Sequence, residues 1–330
     1  MLFVSLSTPS LSGPAPPAGG TVLVGSAGFS YPDWVGPVYP AGDRSVHPLV
    51  RLASWVDLLE VNVSYYRIPT PAMATEWLRK TADRPSFRFT AKLWKGFTHG
   101  PERPTKADLA AMRAFFAALA ADDRLDAVLA QFPPSLRATP RTEAYVHRLA
   151  DHVVDDRGAR YPLAVEFRDV SWDRDDVREG LAAKGIAWVV GDLPALPRGV
   201  PPREVATTSL GYLRLHGRNP AWAERGSERD RRYDWLYDEA DLDRFTAWTR
   251  AIRAKASKVL VVTNNHFAGK GLVNALELKA RLVSEVTEGD GATDGKGGGK
   301  GGGKVFVPPT LLAAYPRLRA VAQDETASAG

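Results

Sequence analysis

Several stretches that read as buried strands carry ionisable side chains where a strand core is normally apolar. The stretch LLEVNVSYYRIP (58–69) contains Glu60 and Asn62. Later stretches add five more ionisable residues: Lys92, Glu166, Arg168, Arg214 and His216. Burying an ionised carboxylate without a partner costs several kcal/mol or forces a large pKa shift. Glu60 therefore needs partners, and the cations of the other strands are the candidates.

The residue types in this set are those that bind anions and transfer protons. Arg168 and Arg214, together with Lys92, could hold an anion, because a guanidinium forms paired hydrogen bonds with carboxylate or phosphate. Either glutamate could act as general base and His216 as proton shuttle, since burial and neighbouring charges can tune such groups toward neutral pH. We therefore predict these catalytic residues: Glu60, Glu166, His216 and Lys92.

Alternation along the strands places these residues on one face. Side chains of a strand point alternately to its two sides, so Leu59 and Val61 share one face while Glu60 and Asn62 share the other. Gln131 and Asn265 stand near the ends of two further strands, and aromatic and histidine side chains follow in the loops. The predicted ligand-binding residues are Asn62, Gln131, Arg168, Arg214, Asn265, Tyr31, Trp34 and His99.

Eight β-type runs alternate with helical patterns and would position these side chains. The runs are 21–29, 55–66, 86–94, 126–132, 163–169, 186–192, 211–217 and 258–265, and the clearest helical patterns are 105–121, 171–185, 238–256 and 269–286. Such alternation predicts parallel βαβ units, and eight of them match a closed (β/α)₈ TIM-type barrel. A doubly wound parallel sheet is the alternative. In a barrel, the polar faces would meet inside, near the C-terminal mouth.

Composition narrows the class of protein. The 330 residues include no cysteine, which excludes disulfides, thiolate zinc sites, iron–sulfur clusters and cysteine nucleophiles, and a cytoplasmic location is expected. No apolar run reaches the length of a membrane-spanning helix. The net charge of +5 suits a small anionic ligand or, less well, nucleic acid. No cofactor is predicted, and no metal, because the basic residues would crowd a metal held by Glu60, Glu166 and His216.

Low-complexity segments divide the chain into four parts. Residues 1–20 are predicted to be a disordered leader, 21–286 the barrel domain, 287–304 a flexible glycine and lysine linker, and 305–330 a C-terminal tail. The tail could dock as a short helix or remain loose.

Seven motifs in order carry a family resemblance. They are GSAGFSYPDWVGPVYP, EVNVSYYRIP, FRFTAKLWKGFTHG, LAQFPPSL, VEFRDVSW, YLRLHG and VTNNHFAGKGLVNALELKARL. Together they resemble the domain-of-unknown-function-72 (YecE-like) family over residues 21–285. The resemblance implies a (β/α)₈-type barrel without a settled activity, and it adds Tyr66 to the ligand-binding residues. NVSYY stands where the family pattern is closer to Asn-Ser-Thr-Phe-Tyr.

Four functions fit these residues. The leading hypothesis is an enzyme, of hydrolase or isomerase class, that performs acid–base chemistry on a small anionic metabolite, with or without a phosphate group, at the barrel mouth. A glycoside hydrolase would use Glu60 and Glu166 as its carboxylate pair, and tight pairing with arginine would argue against it. A nucleic-acid-binding or nucleic-acid-processing protein would use the arginine-rich stretch 218–238. A non-catalytic ligand-binding barrel is the fourth, and no oligomeric state is predicted.

Overall fold

The computed structural model describes residues 20–99, 104–155, 157–222, 224, 229–288 and 303–323. The predicted leader, except for residue 20, lies outside the described residues. So does most of the predicted linker, since residues 289–302 are not described.

Eight parallel strands form a closed barrel in sequential order, in which β1 pairs with both β2 and β8. The strands are β1 (Thr21–Ala27), β2 (Leu58–Val61), β3 (Arg88–Lys92), β4 (Leu125–Gln131), β5 (Leu163–Glu166), β6 (Ile186–Asp192), β7 (Leu210–Leu215) and β8 (Lys258–Thr263). The predicted (β/α)₈ barrel is therefore confirmed, and the doubly wound sheet is not found.

Helices connect the strands and cover the outside of the barrel. They are α1 (Pro48–Ala53), α2 (Val63–Tyr66), α3 (Pro71–Lys80), α4 (Lys95–Thr98), α5 (Lys106–Leu119), α6 (Pro140–His152), α7 (Asp175–Ala183), α8 (Arg229–Arg232), α9 (Glu239–Arg253), α10 (Lys270–Glu288) and α11 (Pro309–Ala314). Within the described ranges, no helix is long and apolar enough to cross a membrane.

Polar side chains fix where several of these helices begin. Thr105 and Thr139 precede α5 and α6, and each accepts a hydrogen bond from the backbone N–H three residues later. Asp238 does the same for α9 at 2.9 Å. Such caps satisfy backbone donors that the first helical turn leaves without a partner.

The apolar core has two layers that follow the alternation of the strands. Side chains such as Leu59, Val61 and Phe89 point outward and pack against the helices. Leu58 and Leu129 belong to a separate cluster that fills the barrel interior. The inward and outward faces predicted for these strands are therefore confirmed, and the charged residues stand above the apolar filling, toward the C-terminal ends of the strands.

One predicted strand is shorter than its sequence pattern suggests. The run 55–66 was predicted as a single strand, but β2 ends at Val61 and Val63–Tyr66 forms α2. The Ser64 hydroxyl donates to the Val61 carbonyl at 2.9 Å, a local hydrogen bond that competes with continued strand pairing. The prediction that the strand continues through Asn62 to residue 66 was therefore wrong.

The C-terminal tail docks on the barrel as a short helix, which decides between the two alternatives for this segment. Leu311 and Leu318 are fully buried. The Thr310 hydroxyl donates to the Val38 carbonyl at 2.7 Å, and the Tyr315 hydroxyl donates to the Ala268 carbonyl at 2.8 Å. The tail thus supports the segment that follows β8.

Candidate functional site

Glu60 and Arg214 form a fully buried ion pair inside the barrel. Arg214 Nη2 donates to Glu60 Oε1 at 2.6 Å and Nε donates to Oε2 at 2.9 Å. The Tyr212 hydroxyl also donates to Oε2, at 2.8 Å, and lies 2.9 Å from the Thr90 hydroxyl. Neither Glu60, predicted to be catalytic, nor Arg214, predicted to bind ligand, has exposed surface, so in this structure neither is open to a ligand and the pair is placed to position other groups.

Glu166 shares the guanidinium of Arg214. Arg214 Nη1 bonds to Glu166 Oε2, and Arg168 bonds to Oε1 from the other side. Burial alone would raise the pKa of Glu166, but Arg168 and Arg214 hold that pKa well below its ordinary range. Glu166 is therefore a permanent carboxylate at neutral pH and a poor proton donor.

His216 lies beside this carboxylate and is also fully buried. Its Nε2 is 3.3 Å from Glu166 Oε2, and Asn264 Nδ2 lies 3.0 Å from its Nδ1. An amide that donates to Nδ1 leaves the ring proton on Nε2, directed at Glu166. Burial, aided by Arg168 and Arg214, lowers the pKa of His216 to about 3. The imidazole is thus neutral, which does not support the proton shuttle near neutral pH that the sequence suggested.

Lys92 stands at the end of β3 and is partly exposed at the mouth. Its Nζ donates to Gln131 Oε1 at 2.8 Å and lies 4.5 Å from the centroid of the Tyr65 ring. Burial and the neighbouring Arg214 lower the pKa of Lys92 to about 7. Near neutral pH this amine can therefore both accept and release a proton.

Tyr65 and His99 complete the rim next to Lys92. The two rings meet edge to face with centroids 5.2 Å apart, and His99 Nδ1 lies 2.8 Å from the Thr98 hydroxyl. Burial and the nearby Lys92 lower the pKa of His99 to about 4. Tyr65 was missed because it falls in the run predicted as strand, although it precedes Tyr66 in the same motif.

An aromatic wall lines another part of the mouth. Tyr31 stacks on His266 at 4.1 Å, and Tyr233 lies 4.6 Å from the same ring. Trp222 meets Tyr233 edge to face at 5.3 Å, and the Arg168 guanidinium carbon is 5.5 Å from the Trp222 ring. Arg168 thus connects the buried charges with the aromatic side chains of the loops.

Among the described residues, several buried polar atoms at the C-terminal ends of the strands and in the following loops have no hydrogen-bond partner. They include the acceptors Asn62 Oδ1 and Asn265 Oδ1 and the donors Trp222 Nε1 and Trp235 Nε1. A groove of about 460 Å³ also adjoins Arg168 and is lined in part by Leu196 and Trp248. The unpartnered atoms could therefore bond to a bound molecule, and the groove gives such a molecule space next to Arg168.

Besides Arg214, two further predicted ligand-binding residues have structural partners. Trp34 is fully buried, and its indole N–H donates to the His266 carbonyl at 2.7 Å. Asn265 is also buried, and its amide donates to Trp235 O at 2.8 Å and Asn274 Oδ1 at 3.0 Å. The expectation that Trp34 and Asn265 line the mouth is therefore corrected, because the loops after β1 and β8 pack against other loops.

The remaining predicted residues stay near the mouth. Tyr66 is half-exposed, at 49%, and meets Tyr65 edge to face at 5.0 Å. Asn62 and Gln131 are partly exposed at the ends of β2 and β4. Arg168 is 6% exposed.

Comparisons with known proteins give a consistent result. The family model described as "Protein of unknown function DUF72" matches residues 23–295. The curated UPF0759 protein YunF of Bacillus subtilis (strain 168) is 26% identical over 257 residues, which cover 73% of this chain and 88% of that protein.

Solved structures of DUF72 family proteins are also similar. One from Thermotoga maritima is 34% identical, with a TM-score of 0.69 over 80% of this chain and 99% of that chain. One from Enterococcus faecalis has a TM-score of 0.69 at 24% identity, over 83% of this chain and 97% of that chain, and supports the fold alone.

Proposed function

Because the chain belongs to the DUF72 family, whose description assigns no activity, we propose a function from the site itself: an enzyme that performs acid–base chemistry on a small anionic molecule at the barrel mouth. The observation that carries this proposal is the position and the lowered pKa of Lys92. Lys92 is a partly exposed group at the end of a barrel strand, and its pKa of about 7 suits proton transfer at neutral pH.

The charges around Lys92 favour an anion. Two carboxylates, Glu60 and Glu166, are matched by two guanidiniums, Arg168 and Arg214. A protonated Lys92 adds one positive charge, and like charges nearby disfavour that proton. An anion at the mouth would offset the repulsion from these like charges, although not the cost of burial, so binding would favour protonated Lys92 and raise its pKa. Arg168, with 6% of its surface exposed, is the second cation that the ligand could reach.

The buried carboxylates favour this function over glycoside hydrolysis. A glycosidase needs one carboxylic acid that can donate a proton. Glu166 is held as a carboxylate by Arg168 and Arg214, and both oxygens of Glu60 already accept hydrogen bonds. The arginine-rich stretch proposed for nucleic acid contains residues 223 and 225–228, which lie outside the described residues.

We expect sulfate to bind at the mouth in a pH-dependent way. Lys92 is mostly protonated below pH 7 and mostly neutral above it, so sulfate affinity should fall about tenfold or more from pH 6 to pH 8.5. Sulfate itself does not titrate in this range, and isothermal titration calorimetry measures the affinity. Lys92→Met should weaken binding at pH 6 and remove the pH dependence. Lys95→Met, which changes an exposed lysine of α4, is the matched control. Equal affinity at the two pH values would contradict the proposed role of Lys92.

Exchange of carbon-bound hydrogen with solvent tests proton transfer without knowledge of the product. The protein is incubated in D₂O with a panel of small carboxylates and phosphorylated sugars, and loss of carbon-bound hydrogen is followed by proton NMR. We expect exchange in at least one compound with the parent and with Lys95→Met, and at least about a hundredfold slower exchange with Lys92→Met. Sulfate binding without exchange in any compound would favour a ligand-binding barrel. Salt-sensitive binding of oligonucleotides instead would favour nucleic acid.

A further inference from the structure

We propose that Lys92 is a Schiff-base lysine, whose amine condenses with the carbonyl group of an anionic aldehyde or ketone held at the barrel mouth. This inference rests on the proposed function and deepens it, because it narrows the substrate class from small anions to carbonyl compounds that carry a carboxylate or phosphate. It also gives the amine a covalent role in addition to proton transfer.

The position of Lys92 is suited to a nucleophile. The residue is the last of β3, so a barrel strand fixes its backbone, and the side chain reaches the partly open mouth. Gln131 accepts one of its protons at 2.8 Å, and the Tyr65 ring lies on another side at 4.5 Å. These contacts fix the direction of the amine without occupying its lone pair, because an amide oxygen and a ring face both receive N–H groups.

The partners of Lys92 differ from those of the other partly buried lysines. Lys258 and Lys279 each lie 2.7 Å from an aspartate oxygen, and Lys80 lies 3.0 Å from a glutamate oxygen. Among the described residues, no carboxylate forms an ion pair with Lys92 Nζ within 4.0 Å, and Arg214, which disfavours the ammonium form, is the charged group with the largest effect, ahead of the more distant Glu60 and Glu166, which favour it. A carboxylate would keep the amine protonated, whereas an amide and a guanidinium leave a substantial neutral, nucleophilic fraction.

The condensation balances without an oxidant or reductant. The lone pair of neutral Lys92 Nζ adds to the carbonyl carbon and forms the C–N bond, while the carbonyl π pair moves to oxygen. One nitrogen proton is lost and the oxygen gains a proton, which gives a carbinolamine. The C–O bond then breaks, the oxygen leaves as water after a second protonation, and the nitrogen lone pair forms C=N. The protonated product is a cation, so the Tyr65 ring and Gln131 can stabilise it as they stabilise the ammonium group.

The anionic part of the substrate would lie toward Arg168. This guanidinium borders the mouth next to Trp222, and the groove of about 460 Å³ begins beside it. Arg168 also raises the cost of protonating Lys92, as Arg214 does. The same arginine could therefore bind the carboxylate or phosphate, and by pairing with that anion it would limit how far the anion's charge raises the pKa of the amine.

Reductive methylation tests the nucleophile independently of the natural substrate. The full-length protein is pulsed with formaldehyde and cyanoborohydride at pH 7, and methylated lysines are located by peptide mass spectrometry. An exposed lysine is neutral in only about one molecule in 10³ at this pH. We expect Lys92 to be methylated at least about tenfold faster than the exposed Lys95. A rate for Lys92 equal to or below that of Lys95 would overturn the inference.

A second arm tests the substrate class. Glyoxylate, which carries a carboxylate, and acetaldehyde, which is uncharged, are each supplied with cyanoborohydride. The quantity compared is the ratio of the modification rate of Lys92 to that of Lys95. We expect this ratio to be at least about tenfold higher with glyoxylate than with acetaldehyde. Sulfate should slow the modification of Lys92 by glyoxylate. Equal ratios for the two aldehydes would overturn the claim that the carbonyl substrate is an anion. Slow methylation with normal sulfate binding would reject only the Schiff base, whereas loss of sulfate binding and of deuterium exchange would reject the proposed function.

Discussion

Replacing Arg214 with alanine is expected to lower the free energy of unfolding by about 3–5 kcal/mol, because it leaves two buried carboxylates without their shared partner. Arg214 gives Glu60 two hydrogen bonds and also bonds to Glu166. After its removal, the Tyr212 hydroxyl is the remaining partner of the Glu60 side chain among the described residues, and Glu166 keeps Arg168 and His216. Denaturant unfolding at pH 7 measures the change.

The control is an arginine whose carboxylate partner lies in solvent. Arg79 pairs with Glu76 on the exposed face of α3, and Arg79→Ala should change the unfolding free energy little. The double variant Glu60→Leu with Arg214→Met should recover part of the stability lost in Arg214→Ala, since the uncompensated Glu60 charge is then absent. A loss no larger for Arg214→Ala than for Arg79→Ala would show that the buried network is not needed for the fold.

Replacing Lys92 with methionine is expected to change how stability depends on pH. The pKa of Lys92 is about 7 in the folded protein, against 10.5 when exposed. Between these values the unfolded chain binds a proton that the folded chain does not, so the contribution of Lys92 to stability rises with pH. Below pH 7 both states are protonated, and the folded protein carries the cost of a partly buried ammonium group.

The lowered pKa of Lys92 predicts both the direction and the size of a change in unfolding free energy with pH. Relative to Lys92→Met, the parent should gain about 3–5 kcal/mol of unfolding free energy as the pH rises from 6 to 10.5. Denaturant titrations of both proteins across this range measure it, and Lys95→Met should follow the parent. If the unfolding free energies of the parent and of Lys92→Met change with pH by the same amount, Lys92 has an ordinary pKa. The proposed roles of Lys92 in proton transfer and in Schiff-base formation would then lose their basis.

The barrel and its polar interior could be predicted because both depend on local pattern. Strand alternation places Glu60, Glu166 and Arg214 on inward faces, and sequential parallel strands bring those faces together. The need of Glu60 for a cationic partner followed from the cost of burying its charge, and Arg214 is that partner.

The loops could not be predicted in the same way. Trp34 bonds to the backbone of a residue 232 positions away, and no local pattern shows that contact. Tyr65 lies in α2 because the chain leaves the strand at Asn62, although the residues that follow favour a strand. The neutral state of His216 depends on complete burial among two arginines, which is a property of the assembled site.

The docked tail also determines how the chain tolerates changes in length. Gly303 N–H donates to the carbonyl of Ala280, so the chain returns to the middle of the helix that it leaves at Glu288. Residues 289–302 therefore connect two points that the fold already holds in place. The entropy of closing such a connection grows slowly, by about 0.6 kcal/mol for each doubling of its length. Related proteins could lengthen or shorten this connection at little thermodynamic cost, and a reporter domain inserted there would leave the tail in contact with the loop after β8.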